Sequence, residues 1–333
     1  MFVVPTVDLS PYLDGDPGGR PRTAIALDAA CRGVGFMQVV GHGIRSAALT
    51  GLTDALDAFF ALPEDDKRAL VVTDGTNRGY TPPRNESLSR SLGVEQGNDF
   101  FEAFNVGTAA DGPASGGDGN VWPDLPDFRE GVEAWVGEAR RIARALTTAM
   151  GDALGDREIF RRLAQDPVEV LRLNHYALDD LPEDLTPDLT DGDGPTGMGE
   201  HTDYGIVTVL WADRVAGLQI LHDGAWHDVV PDEGALLVNL GDLTARVTGD
   251  TWRSTLHRVR PPVEHGRVRR RRSAAFFHDG DPDAAVETLP LPDAVPYLPT
   301  TVGEHLAAKL AGSRERHLNP DAGREAARVR AAR

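Results

Sequence analysis

The sequence predicts a mainly β protein with flanking helices, in which a helical N-terminal half precedes a sandwich or barrel of short strands. In the first half, apolar residues recur at steps of three and four, which is typical of amphipathic helices. From residue 168 the pattern changes to short alternating runs separated by Gly, Pro and Asp, which is typical of antiparallel strands. With 333 residues, 41% of them hydrophobic and 26% charged, the chain can bury a substantial core.

The N-terminal half alternates predicted strands and helices. The apolar spacing predicts a strand at 3–9, an Ala-rich helix at 23–31 and a strand at 36–40. A second helix should end before Pro63, because proline does not continue a helix. The clearest helix runs from residue 128 to residue 154, where apolar positions follow one face.

The C-terminal half consists of short predicted strands. Asp223-Gly224 indicates a hairpin, with a loop expected to be longer than two residues. A short helix is predicted around 306–310, followed by a polar tail that is expected to fray. The predicted strands are 168–176, 205–211, 218–221, 226–230, 235–240, 254–259 and 268–277.

Charge and composition narrow the classes of partner. The 34 Lys and Arg against 52 Asp and Glu give a net charge of −18, which argues against nucleic acid and anionic membrane surfaces as partners. A single cysteine, Cys31, leaves no internal disulfide. Neither a leader pattern nor an apolar run of about 20 residues is present in the sequence. We therefore expect a cytoplasmic protein that acts on a small molecule; the sequence indicates no oligomeric state.

Two of the ten histidines stand out by context. His201 and Asp203 follow a Gly-rich loop and, by period-two alternation, point to the same side of an extended backbone. His257 lies in another predicted strand and supplies a third ligand type. Two histidines and one carboxylate leave three metal positions open, which is the arrangement of non-haem Fe(II) oxygenases. Zinc is the competing metal, although the H-E-x-x-H pattern is absent from the sequence.

An arginine-rich strand follows the histidines. Arg271 and Ser273 share a face, and a guanidinium beside a hydroxyl suits a carboxylate. The competing interpretation is a solvated charge run, since residue 267 and residues 269–272 are all arginine. Tyr176, after Asn174 and His175, adds a phenol at the end of a β run, and a buried phenol requires a partner.

Over nearly its whole length the chain resembles the isopenicillin N synthase-like family of Fe(II)- and 2-oxoglutarate-dependent dioxygenases. Order, spacing and flanking residues of several motifs agree with that family. The motifs are VPTVDL at 4–9, GF at 35–36 through HGI at 42–44, RGY at 78–80, Asn-x-Tyr at 174–176, HTDYG at 201–205, GLQ at 217–219, VNLGD at 238–242, STLHRV at 254–259 and RxSxxFF at 271–277.

The resemblance implies a fold and a set of site residues. The core would be a double-stranded β-helix, a cupin-like jelly roll at 166–285, preceded by a non-haem dioxygenase N-terminal region at 1–165 and followed by a helical tail at 286–333. His201, Asp203 and His257 would bind iron and form the catalytic centre. Arg271 and Ser273 would hold the distal carboxylate of 2-oxoglutarate, with Tyr176 assisting. Asn239, Gly241 and Asp242 match a turn expected to be structural.

The implied activity is oxidation, foremost hydroxylation, of an unactivated C–H bond, with O₂ consumed and 2-oxoglutarate decarboxylated to succinate and CO₂. Alternatives are a 2-oxoglutarate-independent oxidase or cyclase of the isopenicillin N synthase type, a desaturating or ring-forming member, and a silent jelly-roll binding protein. The resemblance points to a small substrate of specialised metabolism, antibiotic biosynthesis included. Expected wall residues are Arg84, Phe104 and Tyr204, and further pocket residues are expected from the N-terminal helices, the 177–199 loop and the tail.

Overall fold

The structure is a computed structural model, and it describes residues 2–73, 76–85, 88, 99–107, 119–176, 197–260, 263–264 and 267–315. The 177–199 loop, expected to supply pocket residues, lies outside the described residues up to residue 196, and so does the tail beyond residue 315. Among the described residues, no helix combines the length and the apolar character that crossing a membrane requires.

The helices and strands follow the predicted order. The described helices are Ser10–Leu13 (α1), Arg20–Gly33 (α2), Ser46–Phe60 (α3), Glu64–Arg68 (α4), Phe128–Leu154 (α5), Ile159–Leu163 (α6), Asp242–Val247 (α7) and Val302–Glu315 (α8). The described strands are Thr6–Asp8 (β1), Phe36–Val40 (β2), Gly79–Thr81 (β3), Glu102–Gly107 (β4), Val168–Tyr176 (β5), Met198–His201 (β6), Val207–Ala212 (β7), Leu218–His222 (β8), Ala225–Asp228 (β9), Leu236–Leu240 (β10), His257–Val259 (β11), Val263–Glu264 (β12), Arg267–Val268 (β13), Arg271–Gly280 (β14), Ala285–Val286 (β15) and Thr300–Thr301 (β16).

Two sheets form a sandwich, as the sequence predicts. The larger sheet has the strand order β1-β2-β10-β7-β14-β5-β4-β3, and the smaller sheet has the order β6-β11-β8-β9. The mostly antiparallel pairing between strands distant in sequence is that of a jelly roll. Apolar side chains from both sheets pack between them, including Phe36, Ala103 and Leu237 from the larger sheet and Leu218, Ile220 and Val259 from the smaller.

The other face of the larger sheet carries the helices. Helix α5 packs against α2, α3 and the larger sheet, and its apolar stripe includes the fully buried Trp135 and Ile142. On the facing strands, Leu171, Leu173 and Phe276 alternate with residues that face the opposite sheet. The larger sheet is therefore covered on both faces, and its second face is available to line an internal cavity.

The structure differs from the sequence prediction at several elements. The Asp223-Gly224 loop has only two residues, because β8 and β9 pair up to His222 and Ala225. Both loop residues have positive φ, 47° and 77°, which matches the twist that a two-residue hairpin requires. The sequence prediction also lacks several described elements, because their residues follow no clear apolar pattern; these are α1, α4, α6, α7, β3, β4, β6, β12, β15 and β16.

Candidate metal centre and cosubstrate cavity

Three predicted ligands meet between the two sheets. His201 is the last residue of β6, His257 is the first residue of β11, and these two residues are antiparallel partners in the smaller sheet. Strand pairing thus brings together two histidines that are far apart in the sequence. Their imidazole centroids are 4.2 Å apart. Asp203 lies two residues after β6, where the chain leaves the sheet and turns toward both rings.

The ligand atoms face a common point. Asp203 Oδ1 is 3.8 Å from His201 Nε2 and 3.7 Å from His257 Nε2. One atom from each of the three residues lies within 4.8 Å of the others, and all three residues are buried. The two measured separations are below about 4.2 Å, the largest distance between two donors that each lie about 2.1 Å from one shared ion. Within the described residues, no other three His, Cys, Asp or Glu side chains bring their ligand atoms this close together.

Neighbouring groups fix the orientation of each ligand. His201 Nδ1 is 2.8 Å from the carbonyl oxygen of Gly199, and His257 Nδ1 is 3.1 Å from that of Thr255. With Nδ1–H donating to a carbonyl, Nε2 of each ring keeps a lone pair for a metal. Burial, with His257 close by, lowers the pKa of His201 to about 3, against a smaller opposing effect of Asp203. His201 is therefore neutral near pH 7, as a metal ligand must be.

Two side chains hold the second oxygen of Asp203. Thr208 Oγ1 donates to Asp203 Oδ2 at 2.5 Å, and Asn239 Nδ2 donates to the same oxygen at 2.7 Å. Oδ1 is left facing the histidines, so the carboxylate is arranged to bind a metal through one oxygen. Asn239, which was expected to be structural, thus contacts a candidate ligand directly.

Arg271 lies at the end of the same cavity. It is 2% exposed, and its Nη1 donates to Ser273 Oγ at 3.4 Å. Its guanidinium lies 5.1 Å from the centre of the Tyr176 ring. Among the described residues, Nε has no hydrogen-bond partner and no carboxylate forms an ion pair with this guanidinium. A buried cation is costly without a counter-charge. The site is therefore suited to an anion that the described residues do not supply, such as a bound carboxylate ligand.

Tyr176 and Ser273 complete the group around Arg271. The antiparallel register places Tyr176 opposite Arg271 and Asn174 opposite Ser273, so all four side chains share one face of the sheet. Burial raises the pKa of Tyr176, with Arg271 acting in the opposite direction. The phenol therefore stays protonated and can donate. Donors from Arg271, Tyr176 and Ser273 fit the distal carboxylate of 2-oxoglutarate.

A cavity of about 260 Å³ connects these groups. Its lining includes Arg271 and Tyr176, the three candidate ligands, and Leu306 and Leu310 of α8. The N-terminal helices were expected to contribute, but none of the described lining residues lies on α1–α6, because these helices pack on the other face of the larger sheet.

Arg172, buried on the same face of β5 as Tyr176, also lines the cavity. Its Nε donates to Asn174 Oδ1 at 3.2 Å, and its guanidinium lies over Phe101. Arg172 was not predicted as a site residue. Residues 172, 174 and 176 alternate along β5, however, so this spacing places Arg172 on the cavity face with Asn174 and Tyr176.

The three expected wall residues have different positions. Tyr204 lines the cavity. Phe104 instead lies on the helix-facing side of β4, with its ring 4.5 Å from that of Phe59. Arg84 follows β3 and lies over the Phe100 ring, and it is not among the residues that line the cavity. Without β4 in the prediction, no face could be assigned to Phe104.

Two family models match the chain on either side of α5. The model of the non-haem dioxygenase in morphine synthesis N-terminal region matches residues 4–125. The model of the 2OG-Fe(II) oxygenase superfamily matches residues 167–280, which include every candidate ligand. The chain belongs to the 2OG-Fe(II) oxygenase superfamily.

Similar proteins agree with this assignment. The 2-oxoglutarate-Fe(II) type oxidoreductase hxnY of Emericella nidulans is 31% identical over 86% of this chain and 82% of its own length. Clavatol oxidase claD of Penicillium crustosum is 30% identical over 86% of this chain and 89% of its own length. The crystal structure of a Neurospora crassa protein in complex with α-ketoglutarate and thymine superposes with a TM-score of 0.80 at 27% identity, covering 93% of this chain and 97% of the Neurospora chain.

The family prediction, the jelly-roll fold and the two cofactors are thus confirmed: the chain is an Fe(II)- and 2-oxoglutarate-dependent oxygenase. The residues of this oxygenase fit both cofactors by their own chemistry. Two neutral imidazoles and one carboxylate oxygen suit Fe(II), and a buried guanidinium that pairs with no carboxylate of the described residues suits a dicarboxylate. The Neurospora crassa protein is described in complex with thymine, which is a small molecule.

Proposed function

We propose that this oxygenase hydroxylates an unactivated C–H bond of a small organic molecule. The observation that carries the proposal is the position of Arg271, a buried cation that forms no ion pair within the described residues, in one cavity with His201, Asp203 and His257. In this arrangement the end of the cavity beside Arg271 would receive the cosubstrate, and the rest of the cavity would receive the substrate.

Each group has one task in the proposed reaction. His201 and His257 would bind Fe(II) through Nε2 and Asp203 through Oδ1, while Arg271, Ser273 and Tyr176 bind the far carboxylate of 2-oxoglutarate. With O₂, the bound iron and cosubstrate supply the oxidising power, and 2-oxoglutarate is converted to succinate and CO₂. The protein contributes orientation and a buried cavity that excludes bulk water.

Succinate formation under air tests this proposal. Fe(II) and 2-oxoglutarate are supplied with a panel of small molecules, beginning with thymine, which the Neurospora crassa relative binds. We expect one panel member to stimulate succinate and CO₂ release and to gain one oxygen atom. Stimulated release with loss of two hydrogens would indicate a desaturating or ring-forming enzyme. O₂ consumption without CO₂ would indicate a 2-oxoglutarate-independent oxidase. Absence of both reactions across the panel would favour a silent binding protein.

Arg271→Met tests the assignment of the cosubstrate end. Loss of the buried charge should raise the KM for 2-oxoglutarate by at least about tenfold, since a charged hydrogen-bonded pair contributes ~1.5–3 kcal/mol. Iron binding should persist, because Arg271 is not a ligand. Arg270→Met is the matched control: Arg270 is exposed and pairs with Asp57 outside the cavity. Equal KM values in the two variants would contradict the role of Arg271.

A further inference from the structure

The C-terminal helix α8 contacts the segment that carries a candidate iron ligand. His305 Nε2 lies 3.1 Å from the carbonyl oxygen of Tyr204, one residue after Asp203. Lys309, one helical turn further, lies with its ammonium 5.2 Å from the centre of the Tyr204 ring. The same face of α8 therefore packs against the chain immediately next to Asp203.

A fully buried ion pair fastens this contact. Lys309 Nζ is 2.7 Å from Asp242 Oδ2, and both side chains are 0% exposed. The same Asp242 oxygen accepts a hydrogen bond from Thr202 Oγ1 at 3.0 Å. The backbone N–H of Asp242 donates to the carbonyl oxygen of Asp203 at 2.8 Å. One ion pair thus links α8 to the two residues that follow His201.

Helix α8 also reaches the cavity itself. Leu306 and Leu310, spaced one turn apart, line the cavity together with Tyr204. Arg271 begins β14 and Gly280 ends it, and a Cβ at Gly280 would lie 3.4 Å from Val302 of α8. Arg271 and its partner Tyr176 therefore lie at the opposite end of β14 from α8. The wall that α8 contributes is apolar, and this wall suits an aliphatic or aromatic part of a ligand and offers no side-chain hydrogen bond to it.

We propose that α8 forms an apolar wall of the substrate end of the cavity, and that Lys309 is a positioning residue that holds this wall against the segment 202–204. The substrate then presents an uncharged, apolar portion to Leu306 and Leu310. This inference rests on the proposed function, because it names the part of the substrate that the same cavity receives.

Binding of an apolar probe tests the wall. Benzyl alcohol is equilibrated by dialysis, without O₂, against the protein loaded with Fe(II) and 2-oxoglutarate. We expect saturable binding that Leu306→Trp weakens by at least about tenfold, because the larger ring fills the space. Ala307→Trp, at an exposed position of the same helix, is the control and should bind benzyl alcohol as the parent protein does. Failure of the parent to bind benzyl alcohol, or equal binding by both variants, would overturn the proposal.

A double variant separates positioning from stability. Lys309→Met leaves the Asp242 carboxylate buried without its cation, which should lower both the melting temperature and benzyl alcohol affinity. Lys309→Met combined with Asp242→Asn removes both charges, so the melting temperature should recover while benzyl alcohol affinity stays low. Recovery of both quantities, or probe affinity unchanged in Lys309→Met, would reduce Lys309 to a structural residue and overturn its positioning role.

Failure of this inference is distinguishable from failure of the proposed function. If the parent protein binds Fe(II) and 2-oxoglutarate and forms succinate but the α8 variants bind benzyl alcohol normally, only the role of α8 is wrong. If no succinate forms with any panel member, the proposed function is wrong whatever the probe does.

Discussion

Asn239 and Thr208 show how single residues prepare the site. Both donate to Asp203 Oδ2, at 2.7 Å and 2.5 Å, and so the other carboxylate oxygen faces His201 and His257. Without these donors, the carboxylate could rotate or bind a metal through both oxygens. Hydrogen-bond partners of metal ligands fix the ligand orientation, and their loss commonly weakens metal binding.

Asn239→Leu should therefore weaken iron binding without removing a ligand. The substitution keeps a side chain of similar volume and deletes the donor to Asp203, so we expect the Kd for Fe(II) to rise about 10–100-fold. Anaerobic titration of the metal-free protein measures this Kd. Thr208→Val, which removes the other donor, should act in the same direction. Thr53→Val, in helix α3 on the helix-covered side of the larger sheet, should not. An unchanged Kd in both cavity variants would show that Asp203 needs no such support.

Residue types alone located the candidate ligands but not their partners. His201, Asp203 and His257 could be found because imidazoles and a carboxylate occur at strand ends with a recognisable pattern. Asn239 and Thr208 lie on β10 and β7, and they contact Asp203 only because those strands pair, Asn239 opposite Thr208. Such a contact depends on register between distant strands, and composition does not encode it.

At the level of helices and strands, one buried carboxylate attaches α5 to the larger sheet. Glu169 on β5 accepts from His278 Nδ1 of β14 at 2.8 Å and from Arg140 Nε of α5 at 2.6 Å. Burial by itself raises the pKa of a carboxyl group, but the hydrogen bonds from His278 and Arg140 outweigh burial and lower the pKa of Glu169. This triad joins two strands and a helix on the side of the sheet away from the cavity.

The lowered pKa predicts how stability depends on pH. A group with a lower pKa in the folded state stabilises the fold fully above its unfolded pKa of about 4.3, and this stabilisation is lost as the pH falls through the folded value. Glu169→Gln should therefore lower the urea midpoint near pH 7, and the difference from the parent should shrink as the pH falls below about 4.3. Glu158→Gln, at an exposed site, is the control. A difference independent of pH would contradict the assigned role of the carboxylate charge.

Elements with a clear apolar pattern were predictable, and elements without one were not. The helix at 128–154 and the strand at 168–176 agree with the observed bounds because each has a sustained apolar period, and the strand at 36–40 agrees because it is an apolar run between two glycines. The sequence predicts a loop over most of strand β6, since its four residues include two that are polar and a glycine. Helix α8 is longer than predicted. Its weak amphipathicity did not allow the buried position of Lys309 to be predicted from the sequence.

In the whole molecule, positive side chains are buried in the cavity although the chain as a whole is negatively charged. The chain carries a net charge of −18, yet Arg271 and Arg172 are buried in the cavity between the sheets. An acidic surface repels anions at long range, whereas the internal guanidiniums attract them once inside. The strands that bear these arginines, β14 and β5, are neighbours in the larger sheet, and the candidate ligands come from the smaller sheet and the turn after it. The site is therefore assembled by the packing of the two sheets against each other.

One cavity is proposed to bind Fe(II) through His201, Asp203 and His257 and 2-oxoglutarate through a group that includes Arg271. Anaerobic titration tests this most directly, with Fe(II) and 2-oxoglutarate added to the metal-free parent protein, to His257→Ala and to Arg271→Met. We expect one equivalent of each ligand in the parent, loss of iron binding in His257→Ala, and iron binding without tight 2-oxoglutarate binding in Arg271→Met. Tight binding of both ligands by His257→Ala and by Arg271→Met would contradict it.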